Sequence, residues 1–93
     1  MTWYEIVNMQ SDGYSADREA EDLVRHLARA LQTDEDPLEA EMFYGLTSNG
    51  ARRYYVSLSP EAAERVERIL ASHDARELTE PPDLMGMEKM RGL

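Results

Sequence analysis

Residues 40–58 read AEMFYGLTSNGARRYYVSL, and this stretch predicts a β-hairpin at the centre of the fold. Its Asn49-Gly50 pair separates two runs rich in aromatic and branched side chains, which is the strongest short-range hairpin signal. Gly50 favours a tight turn because it adopts a positive φ without a Cβ clash. The stretch also holds most of the aromatic residues of the chain. We therefore expect the other elements to form around this hairpin.

Two registers of the hairpin are open, and they differ in which side chains share a face. A two-residue loop at Asn49-Gly50 pairs Tyr44 with Tyr55 and mixes polar and apolar residues on each face. A three-residue loop that ends in Gly50 as a bulge residue pairs Tyr44 with Tyr54. We predict the second register, because a one-residue shift moves every side chain to the opposite face and burial requires an apolar face. It separates two sets: Met42, Tyr44, Leu46, Arg52, Tyr54 and Val56 on one face, and Glu41, Phe43, Gly45, Arg53, Tyr55 and Ser57 on the other.

Two amphipathic helices flank the hairpin in the sequence. Ser15 is the predicted N-cap of the first, whose apolar residues recur every three or four positions as far as about Gln32. Ser59 is the predicted N-cap of the second, which begins with Pro60 and ends near Asp74. Both helices have one apolar face, so both are expected to pack on the same core.

Short strand-like segments at residues 3–9 and 75–79 complete the order β-α-β-β-α-β. This order is that of the ferredoxin-like α+β arrangement, a four-stranded antiparallel sheet with two helices on one face. We predict one such domain over residues 1–80. Pro81-Pro82 then ends the regular structure, and residues 81–93 are predicted to be a Pro-rich junction with a flexible, Met-rich tail. Alternatively, the methionines dock the tail on a partner or a second copy.

The charge of the chain is concentrated in its first half. The net charge is −9, and residues 1–41 carry eleven acids and three arginines, a balance of −8, whereas residues 42–93 carry eight acids and seven bases, a balance of −1. Such a field opposes direct binding to nucleic acid or to an anionic membrane and favours a protein partner with a basic surface. The alternative is that the charge only keeps the protein in solution.

An acidic run at residues 34–41 holds five carboxylates and no base. We predict that it binds a partner, and a sharper hypothesis makes it a nucleic-acid mimic that presents carboxylates where phosphates would lie, as some anti-CRISPR inhibitors do. The EF-hand order of acids, glycine and closing glutamate is missing, so no metal is predicted. The carboxylates are those of Asp34, Glu35, Asp36, Glu39 and Glu41.

The sheet face opposite the helices is expected to be open and to form a second part of the contact surface, either for a partner or for a homodimer. Exposed aromatic residues usually mark such a surface. In the preferred register this face presents Glu41, Phe43, Arg53 and Tyr55, with Trp3 or Tyr4 added from the first strand.

No catalytic or cofactor motif is present, so no cofactor is predicted. His26 lies off the apolar stripe of its helix and reads as a solvated side chain. The rival hypothesis is a cofactor-free dimeric enzyme with His73, Tyr44 and Tyr54 in a pocket, or a small-ligand regulatory module. The chain contains no cysteine and no apolar run near ~18 residues, which predicts a cytoplasmic protein.

Overall fold

A computed structural model describes residues 1–6, 13–32, 38–46, 52–90 and 93. Backbone positions alone are described for the start of the first helix and for two strand ends, residues 46 and 52. The elements in these ranges follow in chain order: β1 (Thr2–Ile6), α1 (Gly13–Leu31), β2 (Ala40–Leu46), β3 (Arg52–Leu58), α2 (Pro60–Arg65), α3 (Glu67–Ser72), β4 (Ala75–Leu78) and β5 (Glu88–Lys89).

The strands form one antiparallel sheet in the order β4-β1-β3-β2-β5. The predicted α+β class is confirmed, whereas the predicted four-stranded ferredoxin-like sheet is wrong by one strand. The extra strand, β5, pairs with the edge of β2, whose backbone groups on that side would otherwise lack partners in the sheet. It comes from residues 81–93, and the domain boundary at residue 80 and the flexibility of that tail stay predictions.

The hairpin has the register that the side-chain pattern favours. Tyr44 pairs with Tyr54 and Met42 with Val56, so the prediction of the second register is confirmed. Gly50 and the rest of the turn, residues 47–51, lie outside the described residues, and the bulge conformation stays a prediction. The register fixes which hairpin side chains face the helices and which face away.

The core lies between the helices and one face of the sheet. Residues of α1, of α2 and α3, and of the central strands bury their side chains in a single cluster, which places all three helices on the same side of the sheet. The buried stripe predicted for the first helix is confirmed from Ala20 onward. The largest fully buried side chains of the core are Tyr54, Leu23, Leu27, Met42, Leu58, Val56 and Val66.

The helix starts differ in how well the sequence predicted them. Helix α1 begins at Gly13, two residues before Ser15, so Ser15 lies inside the helix and the predicted N-cap is wrong. Helix α2 begins as predicted: the Ser59 hydroxyl accepts a hydrogen bond from the Ala62 N–H at 3.2 Å, with Pro60 at the first helical position.

The predicted second helix is interrupted at Val66, where the backbone leaves the helical region with φ −108° and ψ 15°. Hydrogen bonds from the Val66 N–H to the Ala62 carbonyl and from the Leu70 N–H to the Val66 carbonyl continue across the break. Because these three side chains remain buried at four-residue spacing, α2 and α3 act as one bent helix.

Arg65 joins α2 to α1 through a contact that the sequence pattern does not reveal. Its guanidinium donates to the Ala30 carbonyl in the last turn of α1 and to the Gln32 carbonyl, the latter at 3.2 Å. Carbonyls at a helix C-terminus lack intrahelical partners, and a cation there also interacts favourably with the helix dipole. Arg65 thus caps α1 from α2.

Candidate docking surface

The sheet face that points away from the helices brings together four of the predicted contact residues. Strand pairing places Glu41 and Phe43 of β2 on this face with Arg53 and Tyr55 of β3. On β1 the sequence left open whether Trp3 or Tyr4 joins them, and the structure selects Trp3, because Tyr4 packs against the core. The binding role of these residues stays a prediction.

An aromatic pair covers the middle of this face. The ring centroids of Trp3 and Phe43 lie 5.8 Å apart with their planes at 32°. Their strands flank β3 and are separated by two strand spacings, about 9.5 Å, so the two rings lean towards each other over β3. The β3 residues opposite them, Ser57 and Tyr55, are only 3% and 9% exposed.

The burial of Tyr55 corrects one expectation about the surface. Tyr55 was predicted to be an exposed aromatic anchor, but 9% exposure leaves little of its ring for a partner. The central position of β3 is the reason, since Tyr55 has Glu5 of β1 on one side and Phe43 of β2 on the other. The apolar surface that remains on this face is supplied by Trp3 and Phe43, which are both half-buried.

Glu5 organises the charged side chains next to the aromatic pair. Its carboxylate accepts from the Arg53 guanidinium at 3.3 Å and from the Arg76 guanidinium of β4 at 2.7 Å, and its side chain is 13% exposed. The hydrogen bond with Tyr55 is the largest cause that raises the pKa of Arg53 above its usual value, followed by the charge interactions with Tyr55 and then with Glu5. Arg53 is therefore paired within the chain, although about half of its side chain remains exposed.

Glu41 lies at the other side of the same face and pairs with a residue of β5. Lys89 Nζ lies 3.2 Å from its carboxylate, and the two side chains are 51% and 46% exposed, respectively. The acidic run itself contains no base, so the partner of Glu41 comes from outside the run. The partner is distant in sequence and reaches Glu41 only because β5 pairs with β2.

The remaining acids of the run are placed in part. Glu39 is exposed, and its carbonyl accepts a hydrogen bond from the Ser59 N–H at 3.0 Å, which ties the end of the run to the start of α2. Asp34, Glu35 and Asp36 lie outside the described residues, so their arrangement stays a prediction.

Of the groups in the rival enzyme hypothesis, Tyr44 and Tyr54 are cross-strand partners, whereas His73 lies at the end of α3. Tyr54 is fully buried in the core, and the Tyr44 hydroxyl donates to the Glu88 carboxylate at 2.7 Å. His73 caps the end of α3 just before β4, which is three strand spacings, about 14 Å, from the β2 strand that carries Tyr44. His26 is exposed on α1, as its position off the apolar stripe predicts.

The described ranges provide neither a metal-binding cluster nor a membrane-spanning helix. Within them, no group of three or more His, Asp or Glu side chains could hold a metal ion. No helix in these ranges is long and apolar enough to cross a membrane.

The chain matches no protein-family model, and comparisons with curated proteins and with solved structures found no match either. Its function is therefore inferred from its own surfaces.

Proposed function

We propose that the protein is a non-enzymatic, acidic interaction protein that binds a partner protein with a basic surface. The observation that carries this proposal is the acidic run at 34–41, which contains five carboxylates and no basic residue. Its end is tied to the fold at Glu39 and continues directly into β2. We call Glu39, Glu41, Phe43 and Trp3, together with the acids at 34–36, the docking surface.

The two parts of the docking surface contribute in different ways. Exposed carboxylates attract a basic partner and accelerate encounter, and their effect weakens with salt. Trp3 and Phe43 offer adjacent aromatic rings, and aromatic residues commonly anchor interfaces. Arg53 and Tyr55 lie beside these rings on β3, where Arg53 pairs with Glu5 and Tyr55 is buried.

The sharper form of the proposal is that the docking surface mimics nucleic acid. Four carboxylates at 34–39 would take the places of backbone phosphates in a cationic channel of the partner. Since the partner's cations can serve only one ligand at a time, nucleic acid and this protein would then exclude each other. Mutual exclusion in a competition titration supports mimicry, and simultaneous binding excludes it while leaving ordinary docking intact.

The test is a capture from native lysate at low and high salt, followed by titration of each captured protein in purified form. Two variants with the same net charge, −9 + 4 = −5, separate a specific role of the run from bulk charge. The test variant is D34N/E35Q/D36N/E39Q. The control variant neutralises four exposed acids elsewhere, E64Q/E67Q/E77Q/E80Q.

The proposal predicts that the test variant binds much more weakly than the control and that added salt weakens binding of the wild-type protein steeply. Removing several phosphate-like contacts is expected to reduce affinity by orders of magnitude at low salt. Equal losses of affinity in the two variants would show that the acidic residues act only through the overall net charge of the protein. Binding that is indifferent to salt and to both variants would remove the proposed function.

A further inference from the structure

A segment near the end of the chain lies along the edge of β2, the strand that carries Glu41 and Phe43 of the docking surface. Residues 87–90, which we call the C-terminal cover, contact β2 with each of their four residues in turn. A Cβ at Gly45 would lie 2.8 Å from Met87 Cγ and 3.3 Å from Met87 Cα, so Met87 lies directly against the sheet there. The other three contacts pair Glu88 with the Tyr44 hydroxyl at 2.7 Å, Lys89 with the Glu41 carboxylate at 3.2 Å, and the Met90 N–H with the Met42 carbonyl at 2.7 Å.

The cover is held by fewer ladder pairs than any other strand of the sheet. Strand β5 pairs with β2 at two positions, whereas β4 pairs with β1 at four and β3 pairs with β2 at seven. Local opening of a protein begins where contacts are fewest and solvent exposure is greatest. An eight-residue link at 79–86 joins β4 to the cover, so the cover can leave β2, with release of the Met90 side chain from the core, while the rest of the sheet stays paired.

Lys89 supplies to Glu41 the kind of group that the docking surface is proposed to bind. It is a cation, it is half-exposed, and it reaches the only acid of the run that the structure shows in an ion pair within the described residues. Its backbone also lies opposite Phe43, the aromatic residue at the centre of the surface. The cover therefore engages Glu41 through its side chain and lies beside Phe43 in the ladder.

We propose that the C-terminal cover is an intramolecular substitute for the basic partner, and that a cationic segment of the partner displaces it from β2. This proposal rests on the proposed function and names its regulation. A partner that binds only the uncovered form has its apparent affinity reduced by the fraction of molecules that are open. Loosening the cover thus strengthens partner binding, and locking it weakens partner binding.

The opening itself can be tested without a partner, by amide hydrogen exchange on the full chain. The Met90 N–H is expected to exchange at least ~10-fold faster than the ladder amides between β1 and β3, because it opens locally. K89Q is expected to speed Met90 exchange by a further ~2–5-fold, the size of one exposed ion pair. R76Q, which removes the same charge at the opposite edge strand, leaves Met90 unchanged. Exchange of Met90 as slow as that of the ladder amides would show that the cover does not open separately and would overturn the proposal.

The link to binding can be tested with a disulfide lock, since the chain contains no cysteine. Tyr44 and Glu88 are directly opposite, and antiparallel partners with Cα atoms about 4.5–5.5 Å apart fit disulfide geometry. The lock Y44C/E88C therefore closes the cover while leaving Lys89, Glu41 and Phe43 in place. The matched control is Y4C/E77C, which joins β1 to the other edge strand, β4.

The probe is a lysine-rich basic peptide, titrated against the oxidised and reduced forms of both variants. The proposal predicts that oxidation weakens peptide binding at least ~5-fold in the lock and has no effect in the control, because only the lock prevents opening. Equal binding by the two redox forms of the lock would overturn displacement, as would a disulfide-linked dimer, which would place β5 on a second copy. Failure of the reduced proteins and of the wild-type chain to bind the peptide would instead remove the proposed function.

Discussion

At both edges of the sheet a glutamate faces a tyrosine and a cation pairs with a glutamate, but the two edges bury these groups to different extents. On β4, Glu77 is opposite Tyr4 and Arg76 pairs with Glu5. On β5, Glu88 is opposite Tyr44 and Lys89 pairs with Glu41. The side chain of Glu5 is 13% exposed and that of Glu41 is 46% exposed. Similar side-chain pairs thus involve a largely buried glutamate at the β4 edge and an exposed glutamate at the β5 edge.

The number of partners explains the difference. Glu5 lies on β1, which has a strand on each side, and it accepts from both neighbours, Arg53 of β3 and Arg76 of β4. Glu41 lies on β2, where the neighbour on the outer side is the two-residue β5. A charge that is shielded by several donors contributes to stability, whereas an exposed single pair contributes little. The β5 edge is therefore suited to exchange one cation for another.

The largest expected effect comes from removing the shared carboxylate of the β4 edge. E5Q leaves Arg53 and Arg76 side by side without their counter-charge and is expected to lower the free energy of unfolding by about 1–2 kcal/mol. E41Q makes the same chemical change at the exposed edge and is expected to cost less than ~0.5 kcal/mol. Urea unfolding of the two variants measures both values. Equal losses would contradict the distinction between the edges.

Much of the sheet follows from alternation in the sequence, whereas the β5 edge does not. The hairpin register could be predicted because a shift by one residue would expose Met42 and Val56, so local pattern and burial agree. Glu88 and Lys89 have low intrinsic strand preference, and their pairing depends on contacts with β2 that are distant in sequence. Gly45, which lets Met87 approach, reads in the sequence only as a weak point in a strand.

The sequence predicted which hairpin residues lie on the candidate surface, but not how exposed their side chains are. Alternation along the hairpin places Glu41, Phe43, Arg53 and Tyr55 on one face. It cannot show that Trp3 leans over β3 to meet Phe43, because that contact depends on which strand lies beside which.

The second-largest expected effect tests the close approach of the cover to the backbone of β2 at Gly45. G45A introduces a methyl group 2.8 Å from Met87 Cγ and 3.3 Å from Met87 Cα, so the Met87 side chain and backbone must shift away from β2. Overpacking of this kind is expected to cost about 1 kcal/mol. The loss should be concentrated at the cover, so Met90 exchange should accelerate while exchange in the β1–β3 ladder changes only with the global stability. G86A is the comparison variant, because Gly86 has φ +78° and open space around it, so an alanine there strains the turn without pressing on β2.

A smaller effect is the coupling within each ion pair, which double-mutant cycles isolate from the cost of each single change. The cycle of E5Q with R76Q is expected to give a coupling of about 0.5–1 kcal/mol, because Glu5 is nearly buried and the contact is 2.7 Å. The cycle of E41Q with K89Q is expected to give less than ~0.5 kcal/mol. Raising the salt concentration should reduce the second coupling more than the first. A larger coupling at Glu41 than at Glu5 would contradict the exchangeable role of Lys89.

The smallest effect concerns the tyrosine of the β4 edge. Desolvation, and then the charges of Glu77 and Glu67, raise the pKa of Tyr4 above its usual value. A folded-state pKa above the unfolded value favours the protonated folded form, so this contribution to stability is present below pH ~10 and is lost as the pH rises through the folded-state pKa. The difference between the alkaline absorbance titrations of the wild-type protein and Y4F isolates this tyrosine. E77Q should lower its pKa only in part, since desolvation by the core remains the larger cause. A return of the pKa to its usual value in E77Q would show instead that the edge glutamate dominates, and that the β4 edge acts on Tyr4 by charge rather than by burial.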